Sequence, residues 1–150
     1  NGGSASDSQH IAAEFVVKLK KCRAPMAAVS LTSDNSILTA IANDFSYDDI
    51  FARQVAAIGQ KGDVLIGLTT SGKSLNIMKA FETAKTLGIN TIVFTGKNNT
   101  MISKFTDIQI CFNIDNKQMI QELYLSCMHL ICEELEVLYE ESSVSYKDIT

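Results

Sequence analysis

Apolar positions along this chain follow the rhythm of helices in some stretches and form short unbroken runs in others. Ile11, Phe15 and Leu19 stand four apart, which places them on one helical stripe, and Ser6 or Asp7 can cap a helix running to about Lys20. Residues 26–31 form a short apolar run that predicts a buried strand. Asp34 or Asn35 opens a helical segment to about Ala42, and Ser46 with Asp49 three residues later predicts a second capped helix ending at Gly59. A Gly62-Asp63 turn then leads into 64–68, a continuous run of the kind buried on both faces. Ser74 can cap a helix over 75–87 that Gly88 closes, and a strand is expected over 90–95. A short helix near 100–104, a strand over 107–112 and a long helix from about Lys117 to Tyr139 complete the pattern.

Strands alternating with helices imply an α/β fold: a three-layer, doubly wound parallel sheet covered on both faces. At 150 residues the chain fits one domain, 1–150, long enough to bury about two-thirds of its unfolded surface. Asn1-Gly2-Gly3-Ser4 reads as a strand-to-helix loop without its strand. The expected sheet therefore has four strands in this sequence and five with one upstream, so the domain is read as incomplete at its N-terminus. The tail after Glu141 is expected to fray.

Composition narrows the function classes. With 46% hydrophobic and 20% charged residues the chain is an ordinary globular sequence. Its net charge of −4 includes no basic cluster beyond Lys18-Leu19-Lys20-Lys21, which reads as a solvated helix face, so nucleic-acid binding is not expected. No apolar stretch is long enough to span a membrane. Cys22, Cys111, Cys127 and Cys132 form no CxxC pair, and reduced thiols in a cytoplasmic protein are the simpler expectation.

Ligands of an open parallel sheet bind at the carboxyl ends of strands, where loops enter helices. Two loops have suitable chemistry. Asn1-Gly2-Gly3-Ser4 lets a ligand approach the backbone beside exposed N–H groups. Thr69-Thr70-Ser71-Gly72-Lys73-Ser74 sets four hydroxyls between a buried strand and a helix start, which suits a phosphate monoester because each oxygen of the dianion accepts hydrogen bonds. It has neither the GxxxxGK[ST] nor the GxGxxG spacing. A capped turn without ligand is the plainer alternative for each loop. His10 and Glu14, four apart, share one face of the first helix, and Gln121 and His129 lie about 12 Å apart along the last. The plain alternatives are a solvated pair and a packed core histidine.

Several stretches together resemble a known family: Asn-Gly-Gly-Ser, His10-Ile-Ala-Ala-Glu14-Phe, Leu38 through Asn43-Asp44-Phe45, Phe51-Ala-Arg53-Gln54-Val55, Gly62-Asp63-Val64-Leu65-Ile66-Gly67, Thr70-Ser71-Gly72, and Ile120-Gln121-Glu122 through His129. In this order, almost end to end, they resemble the phosphoheptose isomerases of the sugar isomerase (SIS) domain superfamily, whose fold is flavodoxin-like. The resemblance implies conversion of sedoheptulose 7-phosphate to a manno-heptose 7-phosphate for ADP-heptose and bacterial surface polysaccharide such as lipopolysaccharide. It implies a homotetramer with active sites between subunits. Substrate groups would be Asn1, Gly2, Gly3, Ser4, Glu14, Asn43, Asp44, Thr69, Thr70, Ser71, Ser74 and Gln121. Glu14 would be the catalytic base and His129 the acid, and zinc would be held by the counterparts of His10, Glu14, Gln121 and His129. Acid–base work with zinc dispensable is preferred, because a carboxylate engaged by a metal is a poorer base.

Two departures bear on substrate. Gln118-Met119 stands where the family commonly has Asp-Arg, and Lys73 replaces an asparagine in the hydroxyl loop. The family also has a helix and a first strand ahead of the counterpart of Asn1. The rival expectations are a non-catalytic SIS-domain protein that recruits a partner such as a replication initiator, and an isomerase of another sugar phosphate.

Overall fold

A computed structural model describes residues 1–97 and 100–142, with the side chains of Thr100 and of 140–142 left aside. The expected fraying after Glu141 falls largely outside these residues. Three strands, β1 (Val64–Thr69), β2 (Asn90–Thr95) and β3 (Ile108–Cys111), form one parallel sheet in the order β1-β2-β3. The register runs from Val64 opposite Asn90 to Thr69 opposite Thr95, so β1 and β2 end level at their carboxyl ends. Six helices surround the sheet: α1 (Gly3–Val16), α2 (Asn35–Asp44), α3 (Ala52–Ile58), α4 (Leu75–Leu87), α5 (Thr100–Ser103) and α6 (Lys117–Ser142).

Each face of the sheet has its own core. On one, Phe81 and Ala84 of α4 and Val55 of α3 pack with Val93 of β2 and Ile102 of α5. On the other, Ile11 of α1 joins Tyr124, Met128 and Cys132 of α6 against Leu68 and Phe94. The continuous apolar run over 64–68 was the sequence signal for burial on both faces, and the two clusters are its physical outcome.

Four expectations are corrected. Residues 26–31 are extended but form no strand: Met26 N–H donates to Phe15 C=O, and among the described residues no ladder partner lies beside the segment. The first helix starts at Gly3 and stops at Val16, not Lys20. Its end is set by tertiary contacts, because Glu136 on α6 accepts the N–H groups of Leu19, Lys20 and Lys21, and Arg23 donates to the carbonyls of Glu14 and Phe15. Those groups are then not available to extend the helix. Ser46 caps a 3-10 turn over Tyr47–Asp49 through Asp48 N–H, so α3 begins only at Ala52. Ser74 precedes α4 without a capping hydrogen bond from its side chain, which leaves its hydroxyl to face Thr69 Oγ1 at 3.5 Å. The Asp34 cap forms as expected, its carboxylate accepting Ile37 N–H at 2.9 Å.

Candidate active site

The candidate site has two groups of side chains, one at the carboxyl end of β1 and one between α1 and α6, and the loop over residues 1–4 touches the helix that follows the first and α6 of the second. Gly2 enters α1 with φ 55°, a left-handed conformation that a side chain would disfavour. Asn1 is thereby turned onto the start of α4: its Oδ1 accepts from Asn76 Nδ2 at 2.8 Å and from the Tyr47 hydroxyl at 2.8 Å, and its Nδ2 donates to Asn76 Oδ1 at 3.0 Å. Ser4 is buried, while Gly2 and Gly3 are exposed.

The hydroxyl loop lies directly after β1. Gly72, at φ 64°, brings its N–H to Thr69 Oγ1 at 3.1 Å, and Lys73 N–H donates to Ser71 Oγ at 3.2 Å. Thr70 C=O accepts Gly96 N–H, tying the loop to the end of β2. Thr69, Thr70, Ser71 and Ser74 therefore surround the N-terminus of α4, where the helix dipole favours an anion.

The second group spans α1 and α6. His10 Nε2 is 3.2 Å from Glu14 Oε1, the rings of His10 and His129 meet edge to face at 5.2 Å, and one donor atom from each of His10, Glu14 and His129 lies within 4.8 Å of the others. The fold brings together what the sequence separates by over a hundred residues. His129 Nε2 is buried with no hydrogen-bond partner among the described residues. A buried imidazole nitrogen left unpaired in a cluster of two imidazoles and one carboxylate is a donor set suited to zinc with an open position.

Gln121 lies against the 1–4 loop, since a Cβ added at Gly3 would stand 2.8 Å from its Nε2. Its backbone position on α6 is eight residues, about 12 Å of helix rise, ahead of that of His129. Asn43 and Asp44 are exposed at the end of α2 and bond to each other, not to the hydroxyl loop or to α1.

Three neighbours were not singled out from the sequence. Asn76 and Tyr47 hold Asn1, and the signal for Asn76 was a polar residue in the first turn of an otherwise apolar helix. Asp7 precedes His10 by three residues on α1. Burial raises the pKa of its carboxyl, the charges of His10 and the Asn1 amino group work against this, and its Oδ2 has no hydrogen-bond partner. Tyr124 stays a neutral phenol, raised well above its usual range by burial and then by Asp7. Burial, followed by the charges of Glu14 and Glu136, pushes the Cys132 thiol up to about 11, in keeping with an inert core cysteine.

A family model described as the SIS domain matches residues 1–96. A phosphoheptose isomerase of Synechocystis is 45% identical over 148 residues, covering 98% of this chain and 76% of that protein. One of Helicobacter pylori is 46% identical over 136 residues, covering 91% and 71%. Among solved structures, the phosphoheptose isomerase GmhA from Neisseria gonorrhoeae superposes with a TM-score of 0.83 at 38% identity, covering 91% of this chain and 73% of that one. A phosphoheptose isomerase from Francisella tularensis gives 0.84 at 34% identity, covering 89% and 71%.

Proposed function

Because this chain belongs to the phosphoheptose isomerases of the SIS-domain family, we propose that it interconverts sedoheptulose 7-phosphate and D-glycero-D-manno-heptose 7-phosphate, with Glu14 and His129 moving the protons. The observation that carries the residue assignment is the convergence of Glu14 and His129, with His10, within 4.8 Å on two helices that also border the hydroxyl loop's neighbourhood through Gly3 and Gln121.

Ketose–aldose isomerisation removes a proton from the carbon next to the carbonyl, passes through an enediol, and returns a proton to the adjacent carbon. Glu14, held by His10, takes and returns that proton. His129 donates to the oxygen that gains charge as the enediol forms. Thr69, Thr70, Ser71 and Ser74 hold the phosphate at the start of α4, and Asn1, Gly2, Gly3, Ser4 and Gln121 line the way between. Gly3 and His10 are seven residues apart on α1, about 10 Å, so the phosphate and the reacting carbons are held at separate ends of an extended sugar.

His10, Glu14 and His129, with Gln121 as a further oxygen donor, would hold zinc, which when bound polarises a substrate oxygen. Glu14 acts as a better base when it is not a ligand, so the metal is dispensable in this reading. Asn43 and Asp44, exposed and turned to each other, suit a site completed by a second copy of the chain, as a homotetramer would provide. The exposed Phe45, Leu130 and Leu138 offer apolar surface for such contacts. The product would supply ADP-heptose for lipopolysaccharide in the cytoplasm.

The test is incubation of the purified protein with sedoheptulose 7-phosphate, followed by NMR. Appearance of the aldose signals is expected. No turnover, with aldose formed instead from a shorter ketose phosphate, would reject the seven-carbon substrate.

A further inference from the structure

We propose that Arg23 and Glu136 are positioning residues for the reaction: together they hold the end of α1 against α6 and so set the distance from Glu14 to His129. The inference rests on Glu14 and His129 being the pair that moves protons.

An α-helix leaves its last carbonyls without partners of its own. In α1, which ends at Val16, these include the carbonyls of Glu14 and Phe15. Arg23 supplies both: its Nη2 donates to Glu14 C=O at 2.9 Å and its Nη1 to Phe15 C=O at 2.8 Å. A planar guanidinium fork suits two successive carbonyls, and its charge suits the negative end of a helix. Met26 N–H donates to the same Phe15 carbonyl at 3.1 Å, so the chain beyond Arg23 is tied to this turn as well.

The other half of the clamp stands on α6. Glu136 Oε1 lies 3.3 Å from Arg23 Nε, and the side chains of Arg23 and Glu136 are 2% and 1% exposed. Glu136 also accepts the N–H groups of Leu19, Lys20 and Lys21 at 2.7, 3.0 and 3.0 Å. The loop that leaves α1 is therefore wrapped around a carboxylate carried by the other helix. Water has no access to replace these bonds, which makes the arrangement stiff.

Register connects the clamp to the site. Glu136 follows His129 by seven residues, two turns or about 10 Å of rise, so both project from the same side of α6. Glu14 lies in the turn of α1 whose carbonyls Arg23 takes. The His10–His129 ring contact at 5.2 Å fastens the two helices ahead of Glu14, and Ile11 and Cys132 pack between them. α1 is thus pinned to α6 on both sides of Glu14. Release of Arg23 frees the last turn, where a helix frays first, and Glu14 goes with it. A displacement of about 1 Å at a reacting group costs on the order of 100-fold in rate. Neither buried side chain is open to substrate, so the clamp acts on the rate of reaction and not on binding.

The test compares the parent with Arg23→Lys, which keeps a charge beside Glu136 but cannot span both carbonyls. Turnover of sedoheptulose 7-phosphate is measured well below every melting temperature, and zinc affinity by competition with a chromophoric chelator. Arg23→Lys should lower kcat by about 10–100-fold with KM within about threefold, and weaken zinc by about tenfold or more. Glu136→Asp, which withdraws the carboxylate by one methylene, should show the same split, and it carries the test if Arg23→Lys does not fold. Val55→Ala, in the core on the other face of the sheet, should lose melting temperature with kcat unchanged. An unchanged kcat in the folded clamp variants would overturn the proposal. So would a loss of kcat in Val55→Ala as large as theirs, which would reduce the clamp to general stability. A parent that turns nothing over sinks the isomerase reading instead, and zinc then decides the positioning role: affinity unweakened in the variants, or no binding by the parent, overturns it.

Discussion

His10 and His129 meet edge to face at 5.2 Å, and this contact fixes where α1 and α6 present their polar groups to one another. Glu14 joins them one turn along α1, at 3.2 Å from His10. A carboxylate and an imidazole from different helices thus reach the same small volume, which is the requirement for moving a proton between neighbouring carbons.

Replacing Glu14 by Gln removes the proposed base without changing its shape, and His129→Gln removes the proposed acid. Each should lower kcat by about 10²–10⁴ while leaving substrate binding by calorimetry within a few-fold of the parent. Turnover retained in either variant would remove that residue from the mechanism.

Zinc should bind the parent protein and be lost from His129→Gln, because the triad loses one of its two nitrogen donors. Elemental analysis after loading and dialysis measures this. Complete removal of metal by a chelator should leave isomerase activity in place, and loss of activity restored by zinc alone would make the ion essential.

Asn76 is 2% exposed and exchanges two hydrogen bonds with Asn1. Asn76→Ala takes both of these hydrogen bonds from Asn1 and leaves it the Tyr47 hydroxyl, at a cost of about 1–3 kcal/mol in urea unfolding. The same change should raise KM more than it lowers kcat, since the proposed function gives the 1–4 loop a part in binding substrate and none in moving protons. An unchanged KM would separate Asn76 from the site.

Glu136 is 1% exposed, 3.3 Å from Arg23 Nε, and accepts three backbone N–H groups. The ion-pair contact lacks hydrogen-bond geometry, and Arg23 spends its other nitrogens on the carbonyls of Glu14, Phe15 and Ala24. Burial opposes ionisation of Glu136, but the N–H groups of Leu19, Lys21 and Lys20, and then Arg23, hold its pKa below the ordinary 4.5. A carboxyl with a depressed folded-state pKa stabilises the fold fully above its unfolded value and loses that contribution as pH falls through the folded one. Urea stability should therefore decline from about pH 4.5 downward. Glu136→Gln should flatten that decline and cost about 3 kcal/mol at neutral pH by leaving Arg23 without its counter-charge. A parallel acid limb in the variant would assign the decline to other carboxylates.

The legible parts of the sequence were those governed by local periodicity. The runs at Val64–Thr69 and Asn90–Thr95 and the cap at Asp34 each encode their element within a few residues, and all three formed where expected. Residues 26–31 carry the same apolar signal as the true strands, but a strand needs a neighbour, and none of the described residues supplies one beside them. The helix that should have run to Lys20 stops at Val16 because a carboxylate 116 residues away from Lys20 takes the N–H groups it would have used.

The candidate site divides in the same way. The hydroxyl loop is continuous in sequence and sits at a strand–helix junction, so its chemistry could be read directly from the residue order. His10 and Glu14 share a helix face by their spacing alone. Neither spacing nor composition joins them to His129, because that meeting depends on how α1 packs along α6, which the apolar contacts of Ile11 with its cluster on α6 determine. The sequence by itself determined an α/β sheet with a hydroxyl-rich loop at a strand–helix junction; the packing of two helices decided that Glu14 and His129 stand together, since side chains far apart in the chain meet only when a shared core fixes their backbones.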